Sequence, residues 1–141
     1  MSNNAAYSWP TTEGFVVTHF LTVADVNRSA AFYVRIFGGT VVRCGEPTII
    51  QLANSWLMVN VGGGPTDDKP TVTLHPPHNP HEVSSFLNIR VADIKASYEQ
   101  WRARGAEFLT EPKDHGFEIR CYMRDPDGYL IEVGQVTVTQ A

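Results

Sequence analysis

The chain has 141 residues, of which 43% are hydrophobic and 18% charged, a composition that suits one globular domain and argues against disorder. Its net charge of −4 argues against non-specific binding to nucleic acid, which requires clustered lysine and arginine. The apolar runs are too short for a membrane helix, and the N-terminus lacks the pattern of a secretion signal. Cys44 and Cys121 are not spaced as metal ligands, so we expect reduced thiols in a cytoplasmic protein.

The first half of the chain predicts a strand, a helix and three further strands. Asp25 is a favourable helix N-cap, because its carboxylate can accept from the free amides of the next turn. Apolar residues then recur at helical spacing as far as Phe37, and Gly38-Gly39 predicts a left-handed end to the helix. The predicted strands are residues 15–23, 40–43, 48–52 and 56–61.

The second half repeats this plan, since Val23-Ala24-Asp25-Val26 is echoed by Val91-Ala92-Asp93-Ile94. Asp93 is the corresponding N-cap, and Gly105 is expected to end the helix. Asp125-Pro126-Asp127-Gly128 has the residue preferences of a type I turn. The predicted strands are residues 86–91, 107–109, 118–124 and 129–133.

The two units form one predicted domain, with a first unit over residues 15–61, a Gly- and Pro-rich linker over 62–83 and a second unit over 84–135. Doubled strand-helix-strand-strand-strand order resembles the vicinal oxygen chelate superfamily, which includes glyoxalases, extradiol dioxygenases, and fosfomycin- and bleomycin-resistance proteins. The residues that carry the resemblance are 23–33, Phe37-Gly38-Gly39 and 125–132. The resemblance implies an α+β fold, in which the strands of two tandem units form a curved mixed sheet around an open cup, and a homodimer.

Metal-dependent members of this superfamily place ligands on the first and last strands of each unit, which implies four positions. Counting from the capping aspartates assigns the first-strand positions to Thr18 and Phe86. Counting from the Asp-Pro-Asp-Gly turn assigns one last-strand position to Glu132, and strand parity matches Asn60 to it. Only Glu132 is a strong ligand, and Phe86 cannot coordinate a metal. We therefore expect no cofactor, with zinc, nickel, manganese or iron as the alternative.

His19 and Glu132 each have two interpretations. His19 lies one residue past the counted position, and parity predicts a partly buried core histidine that bonds to a neighbour. A β-bulge would instead move it into the cup, where it would join Glu132 in half of a metal site. Glu132 is either a catalytic or ligand-binding carboxylate, or a structural one paired with Arg90 or Arg120.

The other strand residues whose side chains are expected to point into the cup predict a mostly apolar cleft with a few polar groups. This is the usual lining of a small-molecule site. The predicted ligand-binding residues are Thr18, Phe20, Trp56, Met58, Asn60, Phe86, Asn88, Arg90 and Arg120. The linker histidines His75, His78 and His81 could share one edge of a polyproline helix, but a solvated connector is the simpler interpretation.

The sequence therefore predicts a glyoxalase/bleomycin-resistance-type protein that binds a small aromatic or amphipathic molecule without a full metal site. Its expected partners include neither nucleic acid nor a membrane. The alternative is an enzyme, either a metal-dependent lyase or dioxygenase that uses Glu132 and His19, or a metal-free enzyme in which Glu132 is the acid–base group.

Overall fold

The computed structural model describes residues 14–137, and the chain divides into two compact units, one ending at Pro76 and the other beginning at Pro77. Each unit contains a four-stranded mixed sheet and one helix. The predicted α+β fold of two tandem strand-helix-strand-strand-strand units is confirmed. Within residues 14–137, no helix has the length and apolar character needed to cross a membrane.

The first unit consists of strand β1, helix α1 and strands β2, β3 and β4. Their bounds are His19–Thr22, Val26–Phe37, Thr40–Arg43, Thr48–Leu52 and Ser55–Asn60, in that order. The strand order in the sheet is β1-β4-β3-β2, with β1 parallel to β4 and the other neighbours antiparallel.

Helix α1 begins and ends where its capping residues predict. The Asp25 carboxylate accepts hydrogen bonds from the backbone N–H groups of Asn27 and Arg28, at 3.0 and 3.1 Å. At the other end Gly38 adopts a left-handed conformation with φ of 77°, which glycine reaches without steric penalty. Local sequence alone therefore determines both ends of this helix.

The second unit repeats the first with strand β5, helix α2 and strands β6, β7 and β8. Their bounds are Leu87–Arg90, Ile94–Ala103, Lys113–Asp114, Glu118–Arg124 and Leu130–Val136, in that order. The sheet order is β5-β8-β7-β6, again with one parallel pair, β5 and β8. Asp93 caps α2 as predicted, and its carboxylate accepts from the N–H of Ala96 at 3.0 Å.

One predicted strand is wrong. Residues 107–109 do not form a strand, because Phe108 makes only an isolated bridge with Met123 and its ring packs against Tyr98 of α2, with centroids 4.7 Å apart. The edge strand is instead β6, in a segment outside the predicted strands. The Leu109 N–H donates one backbone hydrogen bond to the Tyr122 carbonyl, but regular pairing with β7 occurs further along the chain, at β6.

Alternate residues of the central strands, together with one face of α1, form the buried core. In the first unit the fully buried side chains include Tyr33, Ile36, Ile50 and Val59. In the second unit they include Cys121, Met123, Ile131 and Val133. Because successive strand residues point to opposite sides of a sheet, the intervening residues of β7 and β8 share the other face. That face carries the candidate site.

The linker is mostly exposed, and its first part folds back on itself. Gly63 and Leu74 exchange two backbone hydrogen bonds, of 3.0 and 2.9 Å. At Gly62 the backbone approaches so closely that an added Cβ would lie 2.2 Å from the carbonyl oxygen of Leu74. Glycine is therefore required here for space.

Candidate functional site

The candidate site lies on one face of the second sheet, which we call the site face. Directly paired residues on neighbouring strands point to the same side of a sheet, so the register of β5, β8 and β7 aligns their side chains in rows. The first row consists of Asn88, Glu132 and Tyr122. The second row consists of Arg90, Gly134 and Arg120. Glu118 lies two residues before Arg120 on β7 and shares this face.

Glu132 is the centre of the first row, and both of its carboxylate oxygens accept hydrogen bonds. The Asn88 amide donates to Oε1 over 2.7 Å, and the Tyr122 hydroxyl donates to Oε2 over 2.7 Å. The Glu132 side chain is only 8% exposed. A buried carboxylate needs such donors, because desolvating it without them is costly.

Two guanidinium groups lie beside this carboxylate but bond most closely to Glu118. Arg90 Nη2 is 2.9 Å from Glu118 Oε1, and Arg120 Nη1 is 2.8 Å from Glu118 Oε2. The same two arginines are 3.7 and 4.0 Å from the oxygens of Glu132. Their hydrogen bonds, first that of Arg120, lower the pKa of Glu118, and the bond to Glu118 raises the pKa of Arg120.

Tyr122 connects this polar network to an aromatic surface. Its hydrogen bond to Glu132, followed by burial and the charge of Glu132, raises the pKa of the Tyr122 hydroxyl. The ring of Phe86 packs edge-to-face against Tyr122, with centroids 5.9 Å apart and planes at 82°. Phe86 is 42% exposed, so part of this aromatic pair is available to a ligand.

Gly134 allows Arg90 to lie across strand β8. A Cβ built at Gly134 would lie 2.1 Å from Arg90 Nη1 and 2.8 Å from Arg90 Cζ. The guanidinium group therefore rests on the backbone of β8, where it can reach both Glu118 and Glu132. Any larger residue at this position would displace it.

Glu118, Tyr122 and Gly134 were not among the predicted site residues. The signal that could have found the first two is the alternation of Glu118, Arg120 and Tyr122 along a strand that was itself predicted correctly. Gly134 follows Glu132 by two residues and carries no side chain, so no sequence pattern marks its contact with Arg90. That contact depends on the pairing of β5 with β8.

Four of the predicted binding residues share one face of the first sheet. Phe20 pairs with Met58 in the register of β1 and β4, and Trp56 and Asn60 follow the same alternation along β4. Thr18 lies immediately before β1 and is half-buried. The first unit therefore presents an apolar face with polar groups at its ends.

His19 lies on the opposite side of strand β1. It pairs with Leu57, and the register continues without a break to the pair of Thr22 and Asn60, so the described strand contains no bulge. His19 is exposed, and the prediction of a partly buried histidine is wrong, because β1 is the edge strand of its sheet. Register thus places His19 away from the face that carries Phe20.

The residues at the four counted positions do not fit a metal centre. Thr18 offers only a neutral hydroxyl and Asn60 only a neutral side-chain amide, and Phe86 has no atom that can coordinate a metal. Both oxygens of Glu132 already accept hydrogen bonds, and two guanidinium groups lie within 4.0 Å of them. Among residues 14–137, no three His, Cys, Asp or Glu side chains are grouped so that they could hold a metal ion.

Known proteins with similar sequences align with most of this chain. The putative lactoylglutathione lyase of Brassica oleracea var. gemmifera is 29% identical over 147 residues, which cover 96% of this chain and 50% of that protein. The chain thus spans about half the length of the curated plant relatives it matches.

Solved structures share the fold at lower identity. A glyoxalase/bleomycin resistance protein/dioxygenase from Nocardioides has a TM-score of 0.70 and 21% identity, covering 92% of this chain and 89% of that one. TnmS3, an antibiotic binding protein from Streptomyces sp. CB03234, has a TM-score of 0.63 and 18% identity, covering 90% and 100%. Residues 15–133 match the family model, so this chain belongs to the Glyoxalase/Bleomycin resistance protein/Dioxygenase superfamily.

Proposed function

We propose that this protein binds a small organic molecule on the site face and does so without a resident metal ion. The observation that carries the proposal is the bonding of Glu132, the one strong ligand among the four counted positions. Its two oxygens accept from Asn88 and Tyr122 and lie beside Arg90 and Arg120. A metal ion there would have to displace these donors and would meet two positive charges.

The surroundings of this network support ligand binding. The half-exposed ring of Phe86 and the ring of Tyr122 provide an apolar surface beside the polar groups of Asn88 and Arg90. An apolar surface with a few fixed polar groups is the usual composition of small-molecule sites. The solved structure of TnmS3, described as antibiotic binding, supports the same use of the fold.

An enzyme is the alternative, favoured by the relatives that are named lactoylglutathione lyase. In that case Glu132 would exchange a proton with the substrate, and Tyr122 and Asn88 would orient its carboxylate. The glyoxalase-like or dioxygenase variants of this alternative require a metal ion. Metal content therefore separates them from the proposed function.

The first experiment measures metal in protein purified without a chelator, by inductively coupled plasma mass spectrometry. We expect far less than one equivalent of zinc, nickel, manganese or iron. The same preparation is then screened by thermal shift against a panel of neutral, cationic and anionic aromatic compounds, since a ligand that binds only the folded state raises the melting temperature. Near-stoichiometric metal would contradict the proposal, as would a panel in which no compound raises the melting temperature.

A pair of variants then tests the site itself. Glu132→Gln removes the central charge, and Glu99→Gln removes a carboxylate that is 64% exposed on α2 as the matched control. We expect the first variant to change ligand affinity and the second to leave it unchanged. If both variants bound the ligand as tightly as the wild type, the site face would not be the binding site. The homodimer stays a prediction, which sedimentation of the same samples tests.

A further inference from the structure

The site face has hydrogen-bond donors to spare and no carboxylate oxygen without a donor. The oxygens of Glu118 and Glu132 accept hydrogen bonds of 2.7 to 2.9 Å. Among the described residues, Arg90 and Arg120 make their shortest contacts with Glu118, at 2.9 and 2.8 Å, and a guanidinium group carries several N–H donors, more than these contacts use. An approaching ligand therefore meets N–H groups, so its matching atoms are acceptors.

Positively charged side chains outnumber negatively charged ones on the site face, which also favours a ligand with acceptor atoms. Arg124 is the third guanidinium group that β5, β7 and β8 place there, and it donates to the carbonyls of Pro80 and Gly128 instead of a carboxylate. Among the described residues of β5, β7 and β8, only two carboxylates, those of Glu118 and Glu132, share the face with these three groups. The whole chain carries a net charge of −4, so this excess of positive charge is local.

The aromatic pair lies close to these donors. Tyr122 and Arg120 are two residues apart on β7, a separation of about 7 Å along a strand. Phe86 lies two residues before Asn88, and Arg90 lies two residues after it, so Phe86 packs against Tyr122 on the side away from Arg90 and Arg120. A ligand that contacts both groups therefore carries an aromatic ring and an acceptor group separated by a short chain.

We propose that the ligand of the site face is an aromatic carboxylate, whose carboxylate group binds Arg90 and Arg120 above Gly134 and whose ring packs against Phe86 and Tyr122. This inference rests on the proposed function and names its ligand class. The planar fork of a guanidinium group matches a carboxylate with two parallel hydrogen bonds. Gly134 is then a positioning residue, because its missing side chain lets Arg90 lie over β8.

Cinnamate and two analogues of the same shape test this proposal by isothermal titration calorimetry. Cinnamamide is neutral and cinnamylamine is cationic. A hydrogen bond between two charged groups contributes more binding free energy than one to a neutral acceptor. We therefore expect cinnamate to bind at least about tenfold more tightly than either analogue.

Three variants locate the preference. We expect Arg120→Gln to reduce the cinnamate preference about tenfold, and Gly134→Ala to reduce it by displacing Arg90. An added Cβ at Gly134 meets only the end of a flexible side chain, so this variant is expected to fold. Arg102→Gln, on the exposed surface of α2, removes the same charge elsewhere and is expected to leave the preference unchanged. Circular dichroism verifies folding, and Arg90→Gln, at a side chain that is 47% exposed, replaces any variant that fails to fold.

Two results would overturn the carboxylate assignment while small-molecule binding stands. One is binding of cinnamamide or cinnamylamine as tight as that of cinnamate. The other is an unchanged preference in folded Arg120→Gln or Arg90→Gln. If none of the three probes and no compound of the aromatic panel bound, the proposed function would fail together with this inference.

Discussion

Replacing Glu132 with glutamine removes the charge at the centre of the site face while retaining the shape of the side chain. Asn88 and Tyr122 each donate to this carboxylate over 2.7 Å, and hydrogen bonds to a charged group contribute about 1.5–3 kcal/mol each. Glutamine keeps one acceptor oxygen, while its amide N–H group faces a second donor. We therefore expect the free energy of unfolding to fall by about 2–3 kcal/mol.

Urea denaturation, followed by fluorescence and circular dichroism, measures this loss. Glu99→Gln is the matched control, and its effect is expected to stay within about 0.5 kcal/mol because its partner Arg102 lies 3.8 Å away on the exposed surface of α2. A double-mutant cycle with Tyr122→Phe isolates the contact, since the tyrosine substitution should cost less once Glu132 has lost its charge. Equal stability of Glu132→Gln and the wild type would refute the reasoning.

Tyr122 provides a second measurement of the same contact. The hydrogen bond to Glu132, followed by burial, raises its pKa above the ordinary value of 10.0. Because the pKa is higher in the folded state, the stabilisation is fully present below pH 10 and is lost as pH rises through the folded-state pKa. In Glu132→Gln we expect the tyrosinate absorbance of Tyr122, identified with Tyr122→Phe, to appear at lower pH. An unchanged titration would contradict the hydrogen bond.

Three further predictions concern other parts of the fold. Gly62→Ala forces a Cβ against a backbone carbonyl and is expected to lower the free energy of unfolding by about 1–3 kcal/mol, whereas Gly63→Ala, which meets open space, serves as the control in the same thermal melts. Asp25→Ala removes two hydrogen bonds at the start of α1 and should cost about 1 kcal/mol by urea denaturation; no loss would mean that the cap is unimportant. Burial raises the pKa of the Cys121 thiol to about 11, so at pH 8 we expect a thiol reagent to modify exposed Cys44 rapidly and Cys121 only after denaturant is added; equal rates would contradict the buried placement.

Local residue patterns were enough to predict the repeat and much of the fold. The capping groups Asp25, Gly38 and Asp93 act through contacts within a few residues, so their effects can be inferred without a partner segment. Strand parity likewise assigned Asn88 and Glu132 to one face, where the structure brings them into hydrogen-bond contact. Such predictions succeed because capping and alternation are short-range properties of the chain.

Other features depended on which strands pair and in what register. The edge strand β6 lies beyond the predicted residues 107–109, which reach β7 only through the isolated bridge of Phe108 to Met123 and one hydrogen bond from the Leu109 N–H to the Tyr122 carbonyl. His19 is exposed because β1 is an edge strand, a property of the sheet order that parity along one strand cannot contain.

The sequence by itself determined the doubled α+β fold, its superfamily and the single carboxylate at the counted positions. Only the tertiary structure decided what surrounds that carboxylate. The register of β7 against β8 brings Tyr122 to Glu132, and that of β5 against β8 brings Arg90 over Gly134 to Glu118. These residues are separated by ten to forty-four positions along the chain. Their contacts arise from hydrogen-bonded pairing between distant strands, which no local pattern specifies.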